Sequence, residues 1–342
     1  MSLAYRLKLI GSNGSPYTRK MLAVLRYRHI DYDLIWGDPS LRDDLPKAKP
    51  VLLPTFYFQG DNGELTPVTD STPIIKRLEQ EHAGRSVIPA NPVLKMINAI
   101  VEDFGDEWCT KYMFHYRWAY EADIDNAGSM IPMWIDRKLP TENFKQFKEA
   151  FSERQVGRIG VVGSNKITAP VIEQSYQRLL KLLDTHFHSN GFLLGERPSS
   201  ADFAIHGQFT QLTRVDPTPA ALAAKLSPRT VAWVDCCEDL SGLDPKDTDW
   251  FDANVLPASL KAILAEVGLV YVPAMLANEA AVMAGQKEWQ ATIDGKPWMQ
   301  KTFPYQAKCL RWLREQYAEL NKSDKASVDS ILAGTGCEAL FS

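Results

Sequence analysis

In the first 82 residues the apolar positions fall in short runs, with one amphipathic stretch among them. The runs from Tyr5 to Ile10, from Tyr32 to Trp36 and from Pro54 to Phe58 read as strands, and Met21 to Tyr27 continues a helix that begins at Pro16. Gly60-Asp-Asn-Gly63 reads as a turn, and Ser71 to about Glu81 as a second helix. The pattern predicts a small βαβ unit followed by a hairpin and a helix. The stretch Ala83 to Pro92, with its glycine and prolines, then marks a boundary. Beyond it the period changes. Ile97, Ile100, Val101, Phe104, Trp108, Cys109, Tyr112 and Tyr116 recur at three and four residues, which predicts one long helix from Val93 to Glu121. Ile172, Tyr176, Leu179, Leu180 and Leu183 predict another, Pro170 to Phe187.

Ser199 and Asp202 stand three apart before an apolar run, the spacing of a capping box with Asp in place of Glu or Gln. Their expected role is structural. Further helices are expected at about 253–267, 273–287, 303–319 and 324–333, divided in the middle by Asp294-Gly-Lys-Pro297. The chain therefore reads as three parts: residues 1–82, 93–242 and an extension, 243–342, packed on the helical part. The middle part includes a long stretch at about 126–168 that holds Gly157, Gly160 and Gly163.

Composition narrows the function. A length of 342 residues allows two or three domains, and a net charge of −4 with a pI near 5.9 supplies no general attraction for phosphate backbones or anionic lipid. No nucleic-acid partner is expected. Arg6 and Lys8 interrupt the first apolar run, so a secretory leader is not expected and a cytoplasmic location is. The most apolar window, Leu260 to Ala277, contains Lys261, Glu266 and Pro273, and a buried helix with a turn is expected there rather than a membrane span. Cys109, Cys236, Cys237, Cys309 and Cys337 form no zinc-type spacing and no CxxC pair, as expected of reduced, structural thiols. The acidic run from Asp235 to Asp252 reads as solvated surface.

The candidate chemistry lies in Gly11-Ser-Asn-Gly-Ser-Pro-Tyr-Thr-Arg-Lys20. Ser15-Pro16-Tyr17-Thr18 has the spacing of a glutaredoxin Cys-Pro-Tyr-Cys with hydroxyls in place of sulfurs, at the start of a helix. A helix N-terminus favours negative charge, and with no cysteine present the thiolate must come from a bound thiol. Two further segments join it: the proline-led strand at Pro54 within Lys49 to Phe58, and Asp70-Ser71-Thr72-Pro73, a capped helix start.

Together these segments resemble the N-terminal domain of glutathione transferases. The resemblance implies an α+β protein, with a thioredoxin-like N-terminal domain followed by an all-helical transferase-type domain and, in this chain, a helical extension. It implies glutathione as cofactor, with Ser15 as the thiol-activating residue and Pro54 as the cis-proline. The backbone of Leu53 would pair with the cysteinyl part, Asp70 with the γ-glutamyl ammonium and Ser71 with its carboxylate. Tyr17 is placed in the binding site and, with Ser12, is a rival donor to the sulfur. Ser199 and Asp202 match the capping motif of the central helix. Asp70 stands where the family most often has Glu, and Thr72-Pro73 replaces the more usual residues after the serine.

The electrophile is expected between the domains, against the first long helix, with Tyr112 and His115 lining its pocket. No metal is expected: Asp103, Asp106 and Glu107 spread around their helix, and His186 with His188 reads as capping or surface. The leading expectation is a homodimeric enzyme that adds glutathione thiolate to a small hydrophobic electrophile. Alternatives are a non-catalytic interaction module on the same fold and a glutathione-dependent isomerase or lyase. Glutathione retention separates the first alternative, and product analysis the second.

Overall fold

The computed structural model describes residues 6–60 and 62–342. Tyr5, the expected start of the first strand, and Asp61 of the expected turn lie outside the described residues. Strands β1 (Leu7–Gly11), β2 (Tyr32–Trp36), β3 (Thr55–Gln59) and β4 (Leu65–Val68) form one sheet in the order β2-β1-β3-β4. β1 runs parallel to β2 and antiparallel to β3. The crossover is α1 (Pro16–Tyr27), and α2 (Ser71–Glu81) follows β4. Leu9, Met21, Leu25, Phe56, Ile74 and Leu78 share one core beneath the sheet, joined by Phe203 from the helical region. This is the thioredoxin-like arrangement the sequence led us to expect.

The long helix expected from Val93 to Glu121 is two. α3 (Pro92–Glu107) and α4 (Cys109–Ala119) meet at Trp108, whose indole N–H donates to Ser175 Oγ at 3.2 Å and whose ring lies 5.3 Å from that of Trp298. There follow α5 (Glu121–Ile135), α6 (Thr141–Gly157), α7 (Ala169–His186), α8 (Ser200–Arg214), α9 (Pro217–Leu226) and α10 (Pro228–Cys237). The almost wholly buried α8 is central. Its start is the expected capping box: Ser199 Oγ accepts from Asp202 N, and Asp202 Oδ2 accepts from Ser199 N at 2.8 Å. Two glycines let neighbours close on it. A Cβ at Gly105 of α3 would lie 2.9 Å from Ala204 Cβ, and one at Gly207 only 2.5 Å from Pro16 O. α1, α3 and α8 are thus pinned together where the two domains meet.

The extension corrects the expectation of an all-helical tail. α11 (Ala258–Glu266), a π-helical turn (Val267–Tyr271) and α12 (Val272–Met283) run on without the expected break at Pro273. The wider turn just before Pro273 relieves the clash its ring would otherwise make with the preceding carbonyls. The run Ala258–Met283 is long and apolar enough to cross a membrane by length and composition. Its Leu260, Ile263, Leu264 and Val267 are buried in the core, and α11 packs on α7. Next comes a hairpin of β5 (Glu288–Ile293) and β6 (Lys296–Lys301), turned at Asp294-Gly295 with φ of 51° and 67°. Its Trp289, Ile293 and Trp298 face inward, the alternation of a half-buried strand pair. α13 (Pro304–Ala318) and α14 (Lys322–Leu332) then cover α3. One apolar core runs from Val93 to Leu340, so the extension shares the core of the helical region. The cysteines are all free, four of them buried.

Candidate functional site

Ser15 is the N-cap of α1, with extended backbone (φ −96°, ψ 117°) and Pro16 in the first turn. Its Oγ accepts from Thr18 N at 3.2 Å and donates to Leu53 O at 3.4 Å. The Leu53-Pro54 peptide is cis. The serine is thereby in contact with the residue that precedes the strand-entry proline, 38 positions away in sequence. The loop before Ser15 is fixed from the helical side. Arg117 of α4 donates to Gly14 O at 2.9 Å and to both oxygens of buried Asp216, and Gln211 of α8 donates to Asn13 O at 3.1 Å. Arg19 reaches Asn13 Oδ1 at 3.3 Å and Glu238 at 2.6 Å, and Arg26 holds Glu238 as well. Glu238 is therefore a tie between α10 and α1, which corrects the reading of that acidic run as wholly solvated.

Asp70 and Ser71 lie at the start of α2. Asp70 takes a left-handed backbone (φ 83°) and its side chain makes no capping hydrogen bond. Its Oδ2 instead accepts from the Tyr305 hydroxyl at 2.8 Å. Burial pushes the Asp70 carboxyl up, against the opposing pull of Tyr305, Lys20 and Lys308. Ser71 Oγ accepts from Lys20 Nζ at 3.1 Å. Lys20 is buried at the domain boundary and also donates to Glu102 at 2.9 Å and Asp106 at 2.6 Å on α3. Burial works against its charge, but Asp106 and Glu102 outweigh that and hold it protonated. Burial likewise raises the Glu102 carboxyl, and Lys20 with Ser200 brings it below the ordinary range. The Asp106 carboxyl stays pushed up, to about 6, by burial despite Lys20. On either side of it along α3, burial and their carboxylate neighbours raise Asp103 and Glu107 as well.

The structure thus brings Ser15, Leu53 and Pro54 together, sets Ser71 on Lys20 of the helix that Ser15 caps, and gives the neighbouring Asp70 carboxylate to Tyr305. It turns the others elsewhere. The Tyr17 hydroxyl donates to Asp106 O at 2.8 Å, at the domain boundary, and Ser12 is buried. Tyr112 and His115, the expected pocket lining, are buried side chains of the helical region. Tyr112 is fully buried with its hydroxyl 2.6 Å from Ser175 Oγ, and His115 is held between Ser164 at 2.8 Å and Glu173 at 3.1 Å. An aromatic row at helical spacing is core here. His186 is neither cap nor surface: it is buried against Ser259 and Phe192 O.

Sequence reasoning missed the side chains beside the Ser15 loop. A Cβ at Gly14 would meet the Trp134 ring at 3.1 Å and Ile131 at 3.2 Å, so α5 lies directly against it. Ile131, Trp134, Ile135 and Phe151 belong to a small apolar cluster with Trp118. It missed Lys20 too, although a lone lysine beside the apolar Met21-Leu22-Ala23-Val24-Leu25 was a visible signal. A cavity of about 620 Å³ adjoins the Lys20 cluster between α2, α3 and α13, lined by Thr72, Lys76, Glu102, Asp103, Cys309 and Trp312 among others.

Comparison with known proteins agrees with the N-terminal geometry. Residues 9–86 match the family of glutathione S-transferase N-terminal domains. Among solved structures, the chain is similar to a β-etherase from Sphingobium sp. strain SYK-6, at 20% identity over 68% of this chain and 94% of that one, with a TM-score of 0.49. It is also similar to a glutathione transferase from Pseudomonas putida with glutathione disulfide bound, at 16% identity, 70% and 94% coverage and a TM-score of 0.42. A third is a glutathione transferase family member from Pseudomonas fluorescens Pf-5 with two glutathione bound, at 14% identity, 70% and 95% coverage and a TM-score of 0.43. None of the curated proteins compared matches the sequence.

Proposed function

Proceeding from the glutathione S-transferase N-terminal domain carried by residues 9–86, we propose that the protein is a glutathione-dependent transferase acting on a small apolar electrophile. The observation that carries this reading is the contact of Ser15 Oγ with Leu53 O, which sets a hydroxyl at a helix N-terminus beside the backbone leading into cis-Pro54. Glutathione supplies the nucleophilic sulfur when bound. The residues present fit it. Asp70 offers a carboxylate for an ammonium, Ser71 a hydroxyl whose oxygen is already held by cationic Lys20, and the first turn of α2 its N–H groups for a carboxylate.

Ser15 acts as a donor and keeps its own proton. Its 3.4 Å bond to Leu53 O is long, so the hydroxyl can be redirected to an anionic sulfur at small cost. A free thiol titrates near pH 8.5, and making thiolate the majority form at neutral pH asks for about 2.7 kcal/mol. One charge-assisted hydrogen bond contributes roughly 1.5 to 3 kcal/mol and a helix terminus about 0.3 to 1. Ser15 and α1 together are sufficient. Tyr17, committed to Asp106 O, is set aside as the donor. The apolar side chains of Ile131, Trp134 and Phe151 give the electrophile its wall.

A homodimer and a cytoplasmic location belong to the same reading; sedimentation tests the first. Calorimetric titration with glutathione, beside a Ser15→Ala variant, tests the site. Binding in the parent at micromolar to millimolar glutathione supports it, and no heat at several millimolar removes it. Analysis of products then decides whether glutathione stays attached, as in transfer, or is regenerated, as in isomerisation or lysis.

A further inference from the structure

Tyr305 comes 235 residues after Asp70 and nonetheless places its hydroxyl 2.8 Å from Asp70 Oδ2. The turn that delivers it is built for a fixed position. Buried Asn278 of α12 donates to Phe303 O at 2.9 Å and accepts from Phe303 N at 2.8 Å, clamping the residue that precedes α13. Gln306, next in the chain, donates to Glu107 O at 3.4 Å on α3. The Tyr305 ring lies 6.0 Å from that of Phe303, with Lys308 Nζ above it at 5.7 Å.

We infer that Tyr305 is a positioning residue of the glutathione site: by holding Asp70 Oδ2 it fixes the carboxylate and leaves Oδ1 for the ligand's ammonium, so that the extension completes a site begun in the N-terminal domain. The inference rests on the glutathione reading above. A carboxylate offers acceptor sites on both oxygens, so one donor does not exhaust it. Only the ionised form pairs with an ammonium, and a hydrogen bond donated to the ionised form favours it. Asp70 needs that support, because burial raises its carboxyl. The charged and titratable groups around it are Lys20 of α1, Asp106 of α3, and Lys308 and Cys309 of α13. Burial, then Cys309, Asp70 and Glu107, push the Tyr305 phenol far above its ordinary range, so it stays a donor at every working pH.

The test is calorimetry on the full chain, parent and Tyr305→Phe, with two ligands: glutathione, and N-glutaryl-cysteinylglycine, which is glutathione without its amino group. Phenylalanine keeps the ring packing, and a melting curve for each protein checks the fold. The expected result is that Tyr305→Phe weakens glutathione about five- to tenfold and the des-amino ligand less than twofold, since one charge-assisted hydrogen bond is lost. Equal weakening of both ligands would reduce Tyr305 to a packing residue, and no change would remove it from the site. Tighter glutathione binding in the variant would make Tyr305 an obstruction, the opposite of the inference. If the parent binds neither ligand, the glutathione reading itself falls and this one with it. If the parent binds both equally, Asp70 is not the ammonium partner, and the inference about Tyr305 fails while the thiol end stands.

Discussion

The two ends of the proposed cleft are made in opposite ways. At the Ser15 end the groups that meet the serine hydroxyl are neutral: the backbone N–H of Thr18, three residues on, and the carbonyl of Leu53, 38 residues on, which leads into cis-Pro54. At the Asp70-Ser71 end they are charges taken out of water and drawn from afar, with Lys20 bridging residues 51, 82 and 86 positions away and Tyr305 arriving from the extension. The first end presents an uncharged hydroxyl on a helix start, with the loop before it braced by Arg117 and Gln211 of the helical region. The second is part of the seam between domains, where an unpaired charge is costly. Chemistry and stability are therefore separable in this molecule, the first concentrated at Ser15 and the second at Lys20.

The sharpest way to break that comparison is at the charged end. Lys20→Met leaves Glu102 and Asp106 buried without their cation, and denaturant unfolding should show a loss of about 3 to 5 kcal/mol. A loss below about 1 kcal/mol would mean that the seam does not depend on this lysine. Ser15→Ala should do the reverse. Glutathione transfer should fall about tenfold to a hundredfold for one lost charge-assisted hydrogen bond, while stability falls by only about 1 kcal/mol for the missing cap.

A third prediction uses pH. Burial and neighbouring carboxylates raise Glu107 to about 8. In the unfolded chain this group releases its proton near pH 4, so between there and pH 8 the folded state binds more protons, and stability falls as pH rises. Glu107→Gln removes that dependence. Its stability relative to the parent should increase by about 1 to 3 kcal/mol from pH 5 to pH 8, and a constant difference would contradict the assignment. The smallest effect is expected at the α8 start, where Ser199→Ala should cost about 1 kcal/mol and leave the glutathione affinity unchanged.

The same contrast decides what could be read from the sequence. Ser15-Pro16, Pro54, Asp70-Ser71 and the Ser199/Asp202 box carry their geometry in neighbouring residues, and the sheet with its crossover helix followed from short-range pattern. Lys20, Arg117 and Tyr305 act through partners that only the fold brings near, and no local pattern names those partners. Asp70 even forgoes the cap its position suggested, and its Oδ2 accepts from the Tyr305 hydroxyl instead. The row containing Tyr112 and His115 misled for a related reason. Periodicity reports that a face is buried, not whether a ligand or another helix covers it, and here α7 does, through Ser175 and Glu173. The β5–β6 hairpin is different, since its signal was present. Two six-residue runs flank Asp294-Gly295, the two-residue turn that favours a hairpin, and the neighbouring helical periodicity obscured it. The break at Trp108 has no such signal; the tryptophan there meets Trp298, a residue of the extension.

The central claim is that Ser15 at the start of α1 holds a bound sulfur as thiolate. Its most direct test is a pH titration of the ultraviolet absorbance of thiolate in the glutathione complex, in the parent and in Ser15→Ala, at saturating ligand. The account predicts a midpoint about two units below that of a free thiol near 8.5 in the parent, returning most of the way in the variant with glutathione still bound. A midpoint near 8.5 in the parent, or the same lowered midpoint in both proteins, would contradict it.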